Sequence, residues 1–171
     1  SEQYSPFWNI VSKVYKTYLN IEPVGFLFGK KSNTDINENY GTVHEFICND
    51  KLPKLLQMTW FKFWYTSQEP NTTWIIGDID MVPLQRFWFI DNIAEIPDDF
   101  YVHLNPSICA LLTGKPPKTW ETIGGQIQGG ADLAAHHHIA KGYTFKKALN
   151  LSDNFLDDVD YIANKGCYGL G

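Results

Sequence analysis

Cysteine is scarce in this chain of 171 residues: Cys48, Cys109 and Cys167 are odd in number, and no two lie close together. That argues against a disulfide framework and against a Cys-x-x-Cys zinc site, and a reducing compartment is the simpler setting. No apolar run approaches the ~20 residues that span a bilayer, and no secretory signal opens the sequence. A soluble, cytoplasmic protein is therefore expected. Basic residues are also few, 14 Lys and Arg against 19 Asp and Glu for a net charge of −5, and they form no cluster of the kind a nucleic-acid binder carries. A phosphorylated ligand is still compatible with this balance if a bound cation supplies the positive charge. Internal repeats, low-complexity tracts and linkers are absent too. What is present is a 44% hydrophobic, 15% aromatic composition, which at this length suits one domain, residues 1–171, with a real core rather than a disordered chain.

Helical and extended patterns alternate along the chain. Ser5-Pro6 reads as an N-cap followed by the first helical position. Phe7, Ile10, Val11, Val14, Tyr15 and Tyr18 then recur at helical spacing as the expected inward face. Residues 24–28, Val-Gly-Phe-Leu-Phe, predict a short buried strand; 30–40 are polar and turn-rich; 42–47 predict a second strand. Residues 52–67 predict a helix that is apolar nearly all round, which implies burial on several sides. A turn at Glu69-Pro70-Asn71 leads into Thr73-Trp74-Ile75-Ile76, a predicted central strand stopped by Gly77, with a further strand candidate at 100–104. A last helix is predicted over 152–164, with Phe155, Leu156, Val159 and Ile162 inward and Gly166 as its stop. The alternation predicts an α/β fold with a mostly parallel central sheet flanked by helices. In such sheets ligands bind beyond the carboxyl ends of the strands.

The sharpest local signal stands at one such end. Trp74-Ile75-Ile76-Gly77 runs into Asp78-Ile79-Asp80, so that an apolar strand delivers two carboxylates separated by one residue. A random Asp-x-Asp triplet is a solvated turn. Directly after a buried strand, however, two charges are unfavourable unless hydrated, paired or metal-bound. Carboxylate oxygens are hard ligands that suit Mn²⁺ or Mg²⁺. A cation held there would bridge to a diphosphate and neutralise the charge that grows as a nucleoside diphosphate leaves.

A second signal is the stretch 124–142, with four glycines (Gly124, Gly125, Gly129 and Gly130) ahead of Asp132 and the run His136-His137-His138-Ile139-Ala140-Lys141-Gly142. The glycines allow close backbone approach to a ligand, or a mobile loop. Three adjacent histidines cannot share one ion: in an extended segment neighbours point in alternating directions, and on a helix they are spread by about 100° each. The spacing also lacks the His-Glu-x-x-His pattern of zinc hydrolases. One histidine joining the two aspartates is the more economical arrangement, against the alternative that these are ordinary core or surface groups. Lys141 is a candidate for contacting a phosphate as a point charge, or is a solvated lysine.

Together these segments resemble the metal-dependent glycosyltransferases of the GT-A type, with the closest similarity to the glycosyltransferase domains of the chloroviruses, large DNA viruses of algae. The resemblance covers most of the chain. It rests on Tyr4-Ser5-Pro6-Phe7-Trp8, on Gly77-Asp78-Ile79-Asp80-Met81-Val82-Pro83-Leu84 and on the His-Ile-Ala-Lys-Gly stretch at 138–142. It implies a UDP-sugar donor carrying a hexose or deoxyhexose, a glycan acceptor, Mn²⁺ (or Mg²⁺) on Asp80, and Asp78 on the ribose or a metal-bound water. It further implies a late histidine completing the metal site, His138 in the first place and His136 in the second. If the likeness extends to origin, the host cytoplasm is the place of action. Folds of this type open with a strand before the first helix, whereas this chain begins a few residues before Pro6. A longer parent chain, or a missing opening strand, is expected on that ground.

For the chemistry, an inverting transferase needs a carboxylate base near the acceptor hydroxyl. Asp132 is the candidate, and capping a helix that begins at Leu133 is its competing role. Without an unambiguous base, retention of configuration is the expectation, with Gln126 or Gln128 on the sugar and Trp88 or Trp120 available to stack on it. Two other classes compete. A metal-dependent nucleotidyl or phosphoryl transferase would carry a glycine-rich phosphate loop with Lys or Arg near the first strand, and none is found. A non-catalytic carbohydrate-binding module is suggested by six Trp, nine Tyr and eleven Phe, yet most of these fall in helical core patterns.

Overall fold

The structure, a computed structural model, describes residues 4–80, 82–83, 86–104, 121–123, 126–128 and 137–164. Helix α1 (Ser5–Val14) carries Pro6 in its first turn, with Tyr4 rather than Ser5 at the cap position, and runs on into a single π turn, Tyr15–Leu19. Asn20 closes it in the left-handed region at φ 58°, a conformation Asn tolerates better than most residues. The face turned inward is Trp8, Val11, Ser12 and Leu19, while Phe7, Ile10 and Tyr18, expected inside, are exposed. Two causes are visible. Trp8 needs the space that Gly25 leaves on the first strand, where a β-carbon would stand 2.8 Å from Trp8 Cζ3. The π turn also adds a residue to the period, so a 3.6-residue extrapolation past Val14 points the wrong way.

Strands β1 (Val24–Phe28) and β2 (Thr42–Phe46) pair in parallel, from Val24 opposite Thr42 to Phe28 opposite Phe46. The polar segment between them is fastened to α1: Trp8 Nε1 donates to the Asn37 carbonyl at 2.9 Å, and Asn9 both donates to the Asp35 carbonyl and accepts the Asn37 N–H, each at 2.8 Å. Glu38 completes the fastening by accepting the Val43 N–H at 2.8 Å and the Lys31 ammonium at 3.0 Å. The Val43 N–H, followed by Lys31, holds its carboxyl below the usual glutamate range. A depressed folded-state pKa means stability that is present above the unfolded-state value and lost as pH falls through the folded one. Glu38→Gln is therefore expected to be less stable than wild type at pH 7 and equal to it near pH 3, as read by urea unfolding at both pH values. A gap of the same size at both would reject this role.

Helix α2 (Lys54–Ser67) is anchored at its start by Gln57, fully buried, which donates to the Asn49 and Leu52 carbonyls and accepts the Asn49 N–H. Its all-round apolar character has a direct explanation, because it is packed from two sides. Leu56 and Phe61 meet Phe26, Phe28 and Phe46 of the parallel pair and Phe155 and Val159 of the last helix. Phe63 faces the other way, onto Ile76, Ala140, Phe145 and Leu151.

The second sheet corrects the predicted topology. Strand β3 (Thr73–Gly77) pairs antiparallel with a late strand, His137–Lys141, which in turn pairs antiparallel with β4 (Val102–Leu104). Numbered in chain order, β5 (Glu121–Ile123) and β6 (Gln126–Gln128) form a separate antiparallel hairpin, and His137–Lys141 is β7. Among the described residues only β1 and β2 pair in parallel. The architecture is mixed α/β as expected, but among the described residues the three-stranded sheet that carries β3 is antiparallel rather than parallel. The expectation missed β7, the middle strand, because only Ile139 in it is β-branched and three polar residues interrupt any strand-like run.

The remaining α-helices are the short α3 (Arg86–Phe89), between β3 and β4, and α4 (Gly142–Ala148) and α5 (Phe155–Asn164), which follow β7. The last helix starts three residues later than predicted because Asn154 Oδ1 accepts the Leu156 N–H and Ser152 is tied into the preceding turn.

Candidate functional site

Asp78-Ile79-Asp80 leaves the carboxyl end of β3, one residue beyond Gly77, which is paired with His137. Both carboxylates are exposed. Asp78 Oδ1 is 3.0 Å from Lys62 Nζ of α2, and the two side chains are 46% and 17% exposed. Asp80 forms no ion pair among the described residues. Asp78 and Lys62 line a cleft of about 910 Å³ whose walls include Trp8 and Tyr15 of the first helical stretch, Ile75 of β3 and Ile139 of β7. This is within the ~300–1,000 Å³ of ordinary ligand sites, and its walls are mostly apolar with a few polar groups, as such sites are.

Lys141 lines the same cleft but belongs to its far part. It pairs with Thr73 at the opposite end of β3 from Asp78, and at ~3.3 Å per residue the two are about 16 Å apart along the sheet. Its ammonium lies 2.5 Å from Asp98 Oδ2, and this hydrogen bond raises its pKa above the ordinary lysine value. Lys141 and the aspartates are therefore not brought to one point.

The histidines alternate, as extended backbone requires. His137 is buried on one face, its Nε2 3.2 Å from the Tyr15 hydroxyl and its ring edge-on to Phe89. His138 points to the other face, with Nδ1 2.5 Å from the Tyr101 hydroxyl and its ring edge-on to Phe63. Burial raises the pKa of both tyrosines, so each stays protonated. Among the described residues no group of three or more His, Cys, Asp or Glu side chains is close enough to hold a metal ion. The trio Asp78, Asp80 and His138 is accordingly not assembled: His138 is half-buried and engaged by Tyr101 and by Phe63 of α2. His136, Asp132 and Trp120 lie outside the described residues. Trp88 falls in α3, and Gln126 and Gln128 are the ends of β6.

Lys62 and Asp98 were not among the residues singled out from sequence. For Lys62 a signal existed: it is the lone charge in Trp60-Phe61-Lys62-Phe63-Trp64, and a charge inside a buried helix needs a partner. Asp98 carried none, since Asp98-Asp99 follows a proline in a surface turn like many others.

No family model, no curated protein and no solved structure matches this chain. Among the described residues no helix is long and apolar enough to cross a membrane. Of the cysteines, Cys48 is a free, partly buried thiol; Cys109 and Cys167 lie outside the described residues.

Proposed function

We propose that this protein is a glycosyltransferase that takes a hexose or deoxyhexose from a UDP-sugar and passes it to a glycan, with Mn²⁺ or Mg²⁺ at Asp78 and Asp80. The observation that carries the reading is the pair of exposed carboxylates leaving β3, of which Asp78 lines a cleft of about 910 Å³. The donor set fits the ion. Such cations commonly take only one or two protein carboxylates and complete their shell with substrate phosphates and water, so a third protein ligand is not required. When bound, the ion supplies neutralising charge to a departing diphosphate. Asp78 and Asp80 orient that charge, and the apolar walls contributed by Trp8, Ile75 and Ile139 exclude water around the sugar-bearing part of the donor. Lys141, about 16 Å along the sheet, serves the other end of the cleft with Asp98 rather than the diphosphate.

The test is calorimetric titration with UDP, with and without Mn²⁺, on wild type and Asp80→Ala. Mn²⁺ is expected to tighten UDP binding about tenfold in wild type, ~1.4 kcal/mol, and to have no such effect in the variant. Metal-dependent UDP binding that survives Asp80→Ala would remove the mechanism. Slow Mn²⁺-dependent release of UDP from a UDP-sugar, followed in the same samples, separates a transferase from a carbohydrate-binding module.

A further inference from the structure

We propose that the part of the cleft between β1 and β3 is a slot for one more β-strand, an extended apolar segment of this same polypeptide that leads into α1 and joins the two sheets into one. The slot stands whether or not Asp78 and Asp80 hold a cation. Among the described residues β1 has β2 on one side only, and β3 has β7 on one side only. No hydrogen bond among the described residues reaches the outer edge of either strand. Side chains alternate between the two faces of a strand, so a cleft lying against a face touches every second residue. This cleft is lined by all of Val24–Phe28 and all of Thr73–Gly77. It therefore opens on the strand edges, and each edge turns unpaired N–H and C=O groups towards it.

Both faces of the gap are covered. On one side α2 bridges it, with the Tyr65 ring 4.7 Å from that of Phe26 on β1 and 5.9 Å from that of Trp74 on β3. On the other, Trp8 of α1 packs on Gly25 and Leu27, and the Tyr15 hydroxyl of the π turn meets His137 of β7. The two edges run in one direction: going up α2, Phe61 meets Phe28 and Tyr65 meets Phe26, while Lys62 meets Asp78 and Tyr65 meets Trp74. Linked through Tyr65, the Phe26 and Trp74 rings are at most about 11 Å apart, where one intervening strand takes about 10 Å and two take about 14 Å. One strand fits.

Polypeptide backbone is the chemistry that matches the gap, because it carries donors and acceptors on both sides at the spacing of the two edges. Its side chains are apolar on both faces, as in any strand covered by helices above and below. The strand belongs to the chain itself, since a place roofed by α1 and floored by α2 is filled as those helices pack. Tyr4 and Ser5, at the start of α1, line the same cleft, so a segment leading into that helix reaches the slot. β7 is one strand removed from this edge, which leaves open the part of the cleft against Ile139.

The experiment fuses a short run of Val and Ile ahead of Ser1 and follows amide hydrogen exchange in Val24–Phe28 and Thr73–Gly77, with urea unfolding alongside. Three comparisons are made: the unfused chain, the same fusion with Pro at alternate positions, and the unfused chain with the Val and Ile peptide added free. The Val and Ile fusion is expected to slow exchange about tenfold at the outward amides of both strands and to raise the urea midpoint. The Pro fusion is expected to do neither, because Pro has no N–H to donate. Protection of one strand alone, of neither, or to the same extent by the Pro fusion overturns the slot. Protection of both strands by the free peptide but not by the fusion overturns the assignment of the strand to the chain itself.

Discussion

Gly142→Ala is expected to lower the free energy of unfolding by about 3 kcal/mol, the upper end of the usual cost of overpacking. Helix propensity alone argues for the opposite sign, since Ala replaces Gly at the first residue of α4 and is favoured in a helix interior by ~1 kcal/mol. Packing decides against it. A β-carbon at Gly142 would lie 2.5 Å from the Thr66 carbonyl oxygen and 2.8 Å from the Glu69 carbonyl carbon. Both are backbone atoms at the end of α2, so no side chain can rotate out of the way. Nor can the junction retreat, because the Gly142 and Tyr143 N–H groups donate to the Thr72 and Pro70 carbonyls, each at 3.1 Å. Urea unfolding of the variant measures the loss, and a stability equal to or above that of wild type would show that the junction is looser than described. The same contact gives a packing reason for the glycine that ends the His-Ile-Ala-Lys-Gly stretch: it lets β7 turn into α4 against the end of α2.

Trp8→Ala is expected to cost more, about 3–5 kcal/mol, the range for removing a buried aromatic side chain. Its ring is 4% exposed and lies over Gly25, filling the space where a side chain on β1 would otherwise stand. Its indole N–H is also one of the links from α1 to the segment between β1 and β2, through the Asn37 carbonyl, beside the two made by Asn9. Against the ~5–15 kcal/mol that holds a domain together, the loss is large enough to populate unfolded chains at 37 °C. Trp8→Phe separates the two contributions. It keeps a ring over Gly25 and gives up the hydrogen bond, for about 1 kcal/mol plus the smaller volume. Chemical denaturation of both variants checks the order. Equal losses would mean that the hydrogen bond, not the ring, carries the contribution. Because Trp8 also lines the cleft, UDP binding in Trp8→Phe tests whether that wall touches the ligand.

Much of the framework was legible along the chain. Val24–Phe28 and Thr73–Gly77 form the strands their apolar runs predict, and Lys54–Ser67 forms the buried helix that its all-round apolar pattern predicts. The exposed Asp78 and Asp80 after β3 were legible for the same reason: backbone propensity, burial pattern and a pair of neighbouring carboxylates are local properties, written in adjacent residues. Which partners these elements take is not local. The antiparallel place of β7 between β3 and β4, the Tyr15–His137 contact across 122 positions and the Lys62–Asp78 pair across 16 all depend on surfaces that meet only when the chain is packed. The rotation of α1 follows the same rule, because Gly25 and a π turn, neither visible in a helical periodicity, choose the buried face. By itself the sequence determined the elements and the chemistry available at the end of β3. Tertiary packing decided that the His138 ring is engaged by Tyr101 and Phe63, that Lys141 stands apart from Asp78 and Asp80, and that Lys62 of α2 comes to rest beside Asp78, since partners distant in sequence meet only where packing brings them together.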